Sequence, residues 1–187
     1  MENKKKEITR KRATMVNMVL DTKINEFIEI VGENYFGFYK STRYACRGIV
    51  IKDDNILLSL LSNKDFWMIP GGGREKGEND IECVIRELHE ETGYIVNVVK
   101  QTVKVIEYYE DVRYVSVFFL CNIVNEAETN LTDGEKAEGL ERRWIPFKEA
   151  LSIFKEHNKY KDIYEEKRGA YLREYSALLK MIDNNDI

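Results

Sequence analysis

Apolar and polar positions change their period several times along this chain of 187 residues, and each change marks an element. Across residues 14–31, Val16, Val19, Leu20, Ile24, Phe27, Ile28 and Val31 recur at helical spacing, and Gly32 follows as a stop. That periodicity predicts a helix ahead of the main domain, ended by a residue that tolerates a left-handed cap. Four later stretches, YACRGIVI (44–51), NILLSLL (55–61), QTVKVIEYY (101–109) and YVSVFFLC (114–121), are rich in β-branched or aromatic residues. Turn-like pieces such as KDD and EDVR bound them, and they read as strands.

Residues 79–92 return to helical spacing. Asn79 can cap this helix with Glu82 three residues on, and Ile81, Val84, Ile85 and Leu88 form its apolar stripe. A further helix over residues 161–182 carries Ile163, Tyr164, Tyr171, Tyr175, Leu178, Leu179 and Ile182 on a broad apolar face. Strands on both sides of the middle helix predict a mixed α/β (α+β) architecture, with helices packed on a sheet. The expected division is a basic tail with a helical extension over residues 1–40 and a main domain over 41–156. A C-terminal helix over 157–187 then packs on the domain or on a partner.

Composition narrows the function classes. With 43% hydrophobic and 33% charged residues, and no apolar run near the roughly 20 residues that a spanning helix needs, no membrane span is expected. The basic start MENKKKEITRKR leads into an amphipathic segment rather than an apolar core with a cleavage site, so a cytoplasmic location is expected. Cys46, Cys83 and Cys121 are odd in number and scattered, which reads as free, mostly buried thiols. A net charge of -4 argues against broad nucleic-acid binding.

Candidate chemistry concentrates in PGGGREKGENDIECVIRELHEETGY, residues 70–94. At about 100° per residue, Glu87, Glu90 and Glu91 fall within a sector of roughly 100°, away from the apolar stripe. No lysine is interleaved to relieve their repulsion, so a cation is expected against an exposed acidic patch. A hard divalent ion such as Mg²⁺ or Mn²⁺ suits oxygen ligands shared with substrate phosphates. Upstream, Gly71, Gly72, Gly73 and Gly77 form a loop whose backbone can approach a ligand closely, so Gly71 and Gly73 are candidate substrate contacts. The bland alternative is a solvated acidic helix face after a glycine turn.

Spacing weighs against that alternative. From Gly72 the chain gives glycine, five residues, Glu78, seven residues, then Arg86-Glu87-Leu88-His89-Glu90-Glu91-Thr92-Gly93, which resembles the Nudix box GX5EX7REUXEEXGU, with U aliphatic. One position departs, Tyr94 standing where an aliphatic residue is usual, and the effect expected is on packing behind the helix. The flanking FWMIPGGG and ERRWIPFKEA also look like Nudix surroundings, so the resemblance spans about residues 42–154.

The resemblance implies a Nudix fold, a mixed sheet sandwiched between helices, and cleavage of a nucleoside diphosphate linked to another moiety. It implies Mg²⁺, with Mn²⁺ a possible substitute, held by Glu87, Glu90, Glu91 and the Gly72 carbonyl. Arg86 and Glu78 match positions that brace the loop against the helix. Metal ions neutralise the diphosphate and acidify the attacking water, and a carboxylate within reach takes its proton. The family's base varies; the candidates are Glu87 or Glu90 in the box and Glu135 or Glu138 in LTDGEKAEGLERRW.

Tyr108, Tyr109 and Tyr114 lie near a strand turn, and Tyr109 is the candidate to stack on a base. The alternatives to a hydrolase acting on a nucleotide-type small molecule are a binding module that senses such a ligand and a scaffold role for the terminal helices. A homodimer through those helices is expected as one arrangement.

Overall fold

The structure, a computed structural model, describes residues 27–187. Nine strands are described: β1 (Phe27–Val31), β2 (Ser41–Ile49), β3 (Ile51–Lys52), β4 (Asn55–Leu61), β5 (Phe66–Met68), β6 (Gly71–Gly73), β7 (Tyr94–Tyr109), β8 (Val112–Glu126) and β9 (Leu140–Pro146). Four α-helices are described: α1 (Asp80–Thr92), α2 (Asp133–Glu138), α3 (Phe147–Lys155) and α4 (Glu165–Asp183).

The long strands β7 and β8 pair antiparallel at the centre of a five-stranded sheet ordered β1-β7-β8-β2-β6. The outer pairs β1 with β7 and β2 with β8 are parallel, so the sheet is mixed. A second sheet is built on β4, which pairs antiparallel with β3, β5 and β9.

Two apolar cores result. Val84 and Leu88 of α1 pack with Cys46, Leu57, Val96 and Val117. Phe154, Tyr171, Leu178 and Met181 of α3 and α4 pack with Ile49, Leu58, Val105 and Phe118. Sheets lie between helices, as the resemblance implies. All three cysteines are free and buried.

The helix expected over residues 14–31 is corrected at its end: Phe27–Val31 is a strand, paired in parallel with residues 104–108 of β7. Burial alternates along it, Ile28 and Ile30 facing the core while Phe27 and Val31 stay exposed. A period of two suits a β-branched edge strand, and the pairing overrode the helical reading of the same residues. The rest of that expected helix lies outside the described residues.

The C-terminal helix begins later than expected, at Glu165, so Ile163 stands outside it and is 80% exposed. Leu179 and Ile182 also face out, and the buried face instead includes Lys167, Arg168 and Glu174. Among the described residues no helix is long and apolar enough to cross a membrane.

Candidate active site

Local chemistry sets the box geometry first. The Asn79 side chain accepts from the Ile81 and Glu82 amides, and Glu82 returns a bond from the Asn79 amide, so α1 starts in the expected capping box. Gly93 closes it in a left-handed cap. Upstream, β6 pairs with Ala45–Arg47, bringing Gly71–Gly73 against α1. A side chain at Gly72 would collide with the Glu87 carboxylate, its Cβ falling 2.5 Å from an oxygen. A side chain here would have to push that flexible carboxylate aside.

The three acids separate into different environments. Glu87 and Glu91 are each only 8% exposed, which corrects the expected exposed patch, and Glu90 is half-buried. A helix tucked under two sheets leaves no fully solvated side, so part of the acidic sector faces protein. Glu91 accepts from Ser59 Oγ at 2.7 Å and from the Gly71 amide at 3.2 Å. Both donors are neutral, and desolvation raises its pKa to about 7. Desolvation likewise raises that of Glu87, partly opposed by Arg86.

Arg86 ties the region together. Its Nε and Nη2 grip Glu78 at 2.8 and 3.0 Å, and Nη2 also donates to the Gly73 carbonyl at 3.0 Å. Its Nη1 bridges Glu87 at 2.8 Å and Glu90 at 2.9 Å. The fork holds the Glu78 pKa down, to about 2. Part of the cationic compensation expected for the acids therefore comes from within the box. Among the described residues no three acidic, His or Cys side chains are gathered around one point. Instead Arg86 spans Glu87 and Glu90 while Glu91 turns to Ser59.

The donor set nevertheless fits a hard cation. Glu87 offers carboxylate oxygens beside Gly72 and Glu91 beside the Gly71 amide, Glu90 is joined to Glu87 through Arg86, and buried carboxylates with few positive neighbours gain most from a divalent ion.

Other expected residues are placed less centrally. Glu138 pairs with Lys64 at 2.6 Å on the surface. Glu135 caps α2 through Thr132, and its charge contributes to the raised pKa of Glu87. Gly71 spends its amide on Glu91. Gly72 and Gly73 line a cavity of about 590 Å³, together with Tyr109, whose ring meets Tyr114 edge-on at 6.3 Å. Tyr94, the departure from the box pattern, packs edge-on against Trp144 and accepts from its indole at 3.2 Å.

Two residues here escaped sequence reasoning. Ser59 orients Glu91, and its one signal was a hydroxyl inside the apolar run NILLSLL. Arg47, 9% exposed, donates to the Ile69 carbonyl at 3.0 Å just before the glycine strand. An arginine inside YACRGIVI carried the same kind of signal.

Comparison with known proteins places this arrangement. A family model described as a NUDIX domain matches residues 42–167. Diphosphoinositol polyphosphate phosphohydrolase 3-alpha of Mus musculus is 27% identical over 134 residues, covering 70% of this chain and 78% of that protein. Putative ADP-ribose pyrophosphatase YjhB of Bacillus subtilis (strain 168) is 27% identical over 128 residues, 64% of this chain and 57% of that protein. The structure of a NUDIX hydrolase from Nitrosomonas europaea aligns at a TM-score of 0.51 and 20% identity, over 59% of this chain and 76% of that one.

Proposed function

This chain belongs to the NUDIX family, and from that premise we propose that it hydrolyses the pyrophosphate link of a nucleoside diphosphate joined to another moiety, with Mg²⁺ or Mn²⁺ held at the box. The observation that carries this reading is Glu91, a buried carboxylate held by neutral donors. Burying such a charge is costly unless a cation completes the site.

Glu87, Glu90, Glu91 and the Gly72 carbonyl would hold the ion. When bound, it supplies charge neutralisation for the diphosphate and a lowered pKa for the attacking water. The remaining work falls to the chain. Ser59 and the Gly71 amide aim one oxygen of Glu91. Arg86 locks the glycine strand to α1 through Gly73 and Glu78. Glu87, the box carboxylate beside Gly72, is the first candidate to accept the proton from water. Glu138 is the second candidate base, and it must first leave Lys64. Tyr109, lining the cavity next to Gly72 and Gly73, forms part of the substrate wall.

Nucleotide and phosphate release from nucleoside triphosphates, ADP-ribose, nucleotide sugars and dinucleoside polyphosphates tests this reading. Turnover of one class with Mg²⁺ or Mn²⁺, abolished by a chelator, is expected. No turnover, despite thermal stabilisation by a ligand, would make the chain a sensing module instead.

A homodimer is a separate proposal, supported by the exposed apolar residues Phe27 and Val31 on the edge strand β1. Sedimentation of the full chain against one beginning at Phe27 tests the part played by residues 1–26. A shorter chain starting at Lys40 would lose β1 from the sheet and would confound the comparison.

A further inference from the structure

A second set of charges is buried next to the acids of α1, with Arg47 close enough to Glu91 to favour its ionised form. Glu174 of α4, fully buried, meets Arg173 at 2.7 Å and Arg47 of β2 at 3.6 Å. Arg173 also reaches Glu107 of β7, itself only 2% exposed, at 3.4 Å. The network is incomplete: Arg47 Nε, Arg173 Nε, Tyr109 Oη and one oxygen of Glu174 have no hydrogen-bond partner. Buried polar groups left unpaired destabilise a fold, and each calls for an explanation.

Arg47, Arg173, Glu107 and Tyr109 all line the cavity of about 590 Å³ that also touches Gly72 and Gly73. That volume falls in the range of small-molecule pockets, roughly 300–1,000 Å³. The network therefore borders a space continuous with the backbone at which the diphosphate is to be cleaved.

Charge decides what kind of group this space takes. Arg43, Arg47 and Arg173 line it against Glu107, Glu110, Glu165 and Glu166. Adding Arg168, which holds Glu165, and the buried Glu174 leaves four arginines facing five glutamates. Such a wall repels a ring decorated with many phosphates. It suits a flat, uncharged ring that offers hydrogen-bond acceptors to arginine and donors to a carboxylate, and the edges of nucleobases present both.

We propose that this cavity is the nucleobase site, with Tyr109 and Tyr114 as its aromatic wall and Arg47, Arg173 and Glu107 reading the edge of the base. The assignment rests on the reading of the box as a diphosphate-cleaving centre. It adds that the moiety beyond the diphosphate is chosen by β7 and the C-terminal helix, and that polyphosphorylated inositols are excluded.

Base preference tests it, without any dependence on turnover. Equilibrium binding of AMP, GMP, CMP and UMP to the full chain, with no metal added, is measured for wild type, Glu107→Gln and Tyr114→Leu. Wild type is expected to bind one base at least about tenfold more tightly than another. Glu107→Gln should reduce that ratio to about threefold or less, whereas Tyr114→Leu should weaken all four together. Equal binding of the four by wild type, or a preference unchanged in Glu107→Gln with its fold intact by circular dichroism, would overturn the proposal.

Kinetics separate its failure from that of the hydrolase reading. Faster hydrolysis of a diphosphoinositol polyphosphate than of any nucleotide by wild type would refute the nucleobase site and leave the metal site standing. Base-selective binding without cleavage of any diphosphate would do the reverse.

Discussion

Among the described residues, the charged cluster on α1 and the one beneath α4 differ in how the chain assembles them. The acids of α1 come from one helical segment: Glu87 and Glu90 share a single internal arginine, Arg86, while Glu91 is held by Ser59 and the Gly71 amide. The second cluster joins β2, β7 and α4, balancing Arg47 and Arg173 against Glu107 and Glu174. The first has an excess of negative charge and the second is neutral. A charge excess that folding leaves uncompensated marks a place for an ion. A neutral network marks a place where geometry, rather than net charge, is being held.

The largest difference should appear in turnover. Replacing Glu91 or Glu90 by Gln removes a proposed metal ligand, and loss of several kcal/mol of transition-state stabilisation corresponds to a fall in kcat of about 10²–10⁴-fold. Glu174→Gln, in the neutral network, should lower kcat by less than about tenfold in the same assay. Equal losses from both would erase the distinction.

Stability should show the opposite ranking. Arg47→Leu leaves Glu174 with less compensation and should cost about 3–5 kcal/mol in urea unfolding. The double variant Arg47→Leu/Glu174→Leu should recover part of that loss. A single variant as stable as wild type would show that the network does not constrain the fold.

Proton linkage offers a third contrast. Below pH 4.5 the Glu91 carboxyl is protonated in both folded and unfolded chains. Between 4.5 and about 7 only the folded chain keeps the proton, so stability falls as pH rises, and above 7 this contribution is flat. The fall attributable to Glu91 is about 3 kcal/mol, and Glu91→Gln should remove it from the pH profile of unfolding. A profile unchanged by the substitution would contradict the burial of this group as a charge.

Within the box, a smaller effect than loss of an acid is expected from Arg86→Gln. It keeps every carboxylate but frees the glycine strand from α1, and loss of such a supporting contact lowers metal affinity or activity by about 10–100-fold. Titration of Mn²⁺ into the variant checks this.

The same contrast explains what the sequence made legible. The box helix, its Asn79 cap and the acids at fixed spacing lie within one short segment, where period and motif speak directly. NILLSLL is read as a strand with the ends that the structure gives it. Residues 27–31 read as helix because Phe27, Ile28 and Val31 fit a helical period, while only pairing with β7 reveals the strand. Arg47, Glu107 and Glu174 gave no joint signal: 60 or more residues separate each from the next, and only the sheet order and the placement of α4 unite them. Ser59 was hidden for the same reason, its partner Glu91 lying 32 residues away.

We propose the acids of α1 as a cation site. Its most direct test is a calorimetric titration of Mn²⁺ into the full chain at pH 8, where Glu91 is ionised, for wild type and Glu91→Gln. Saturable binding in wild type, weakened at least about tenfold by the substitution, is the predicted result. Identical isotherms, or no saturable binding to wild type, would rule out a cation site at Glu91.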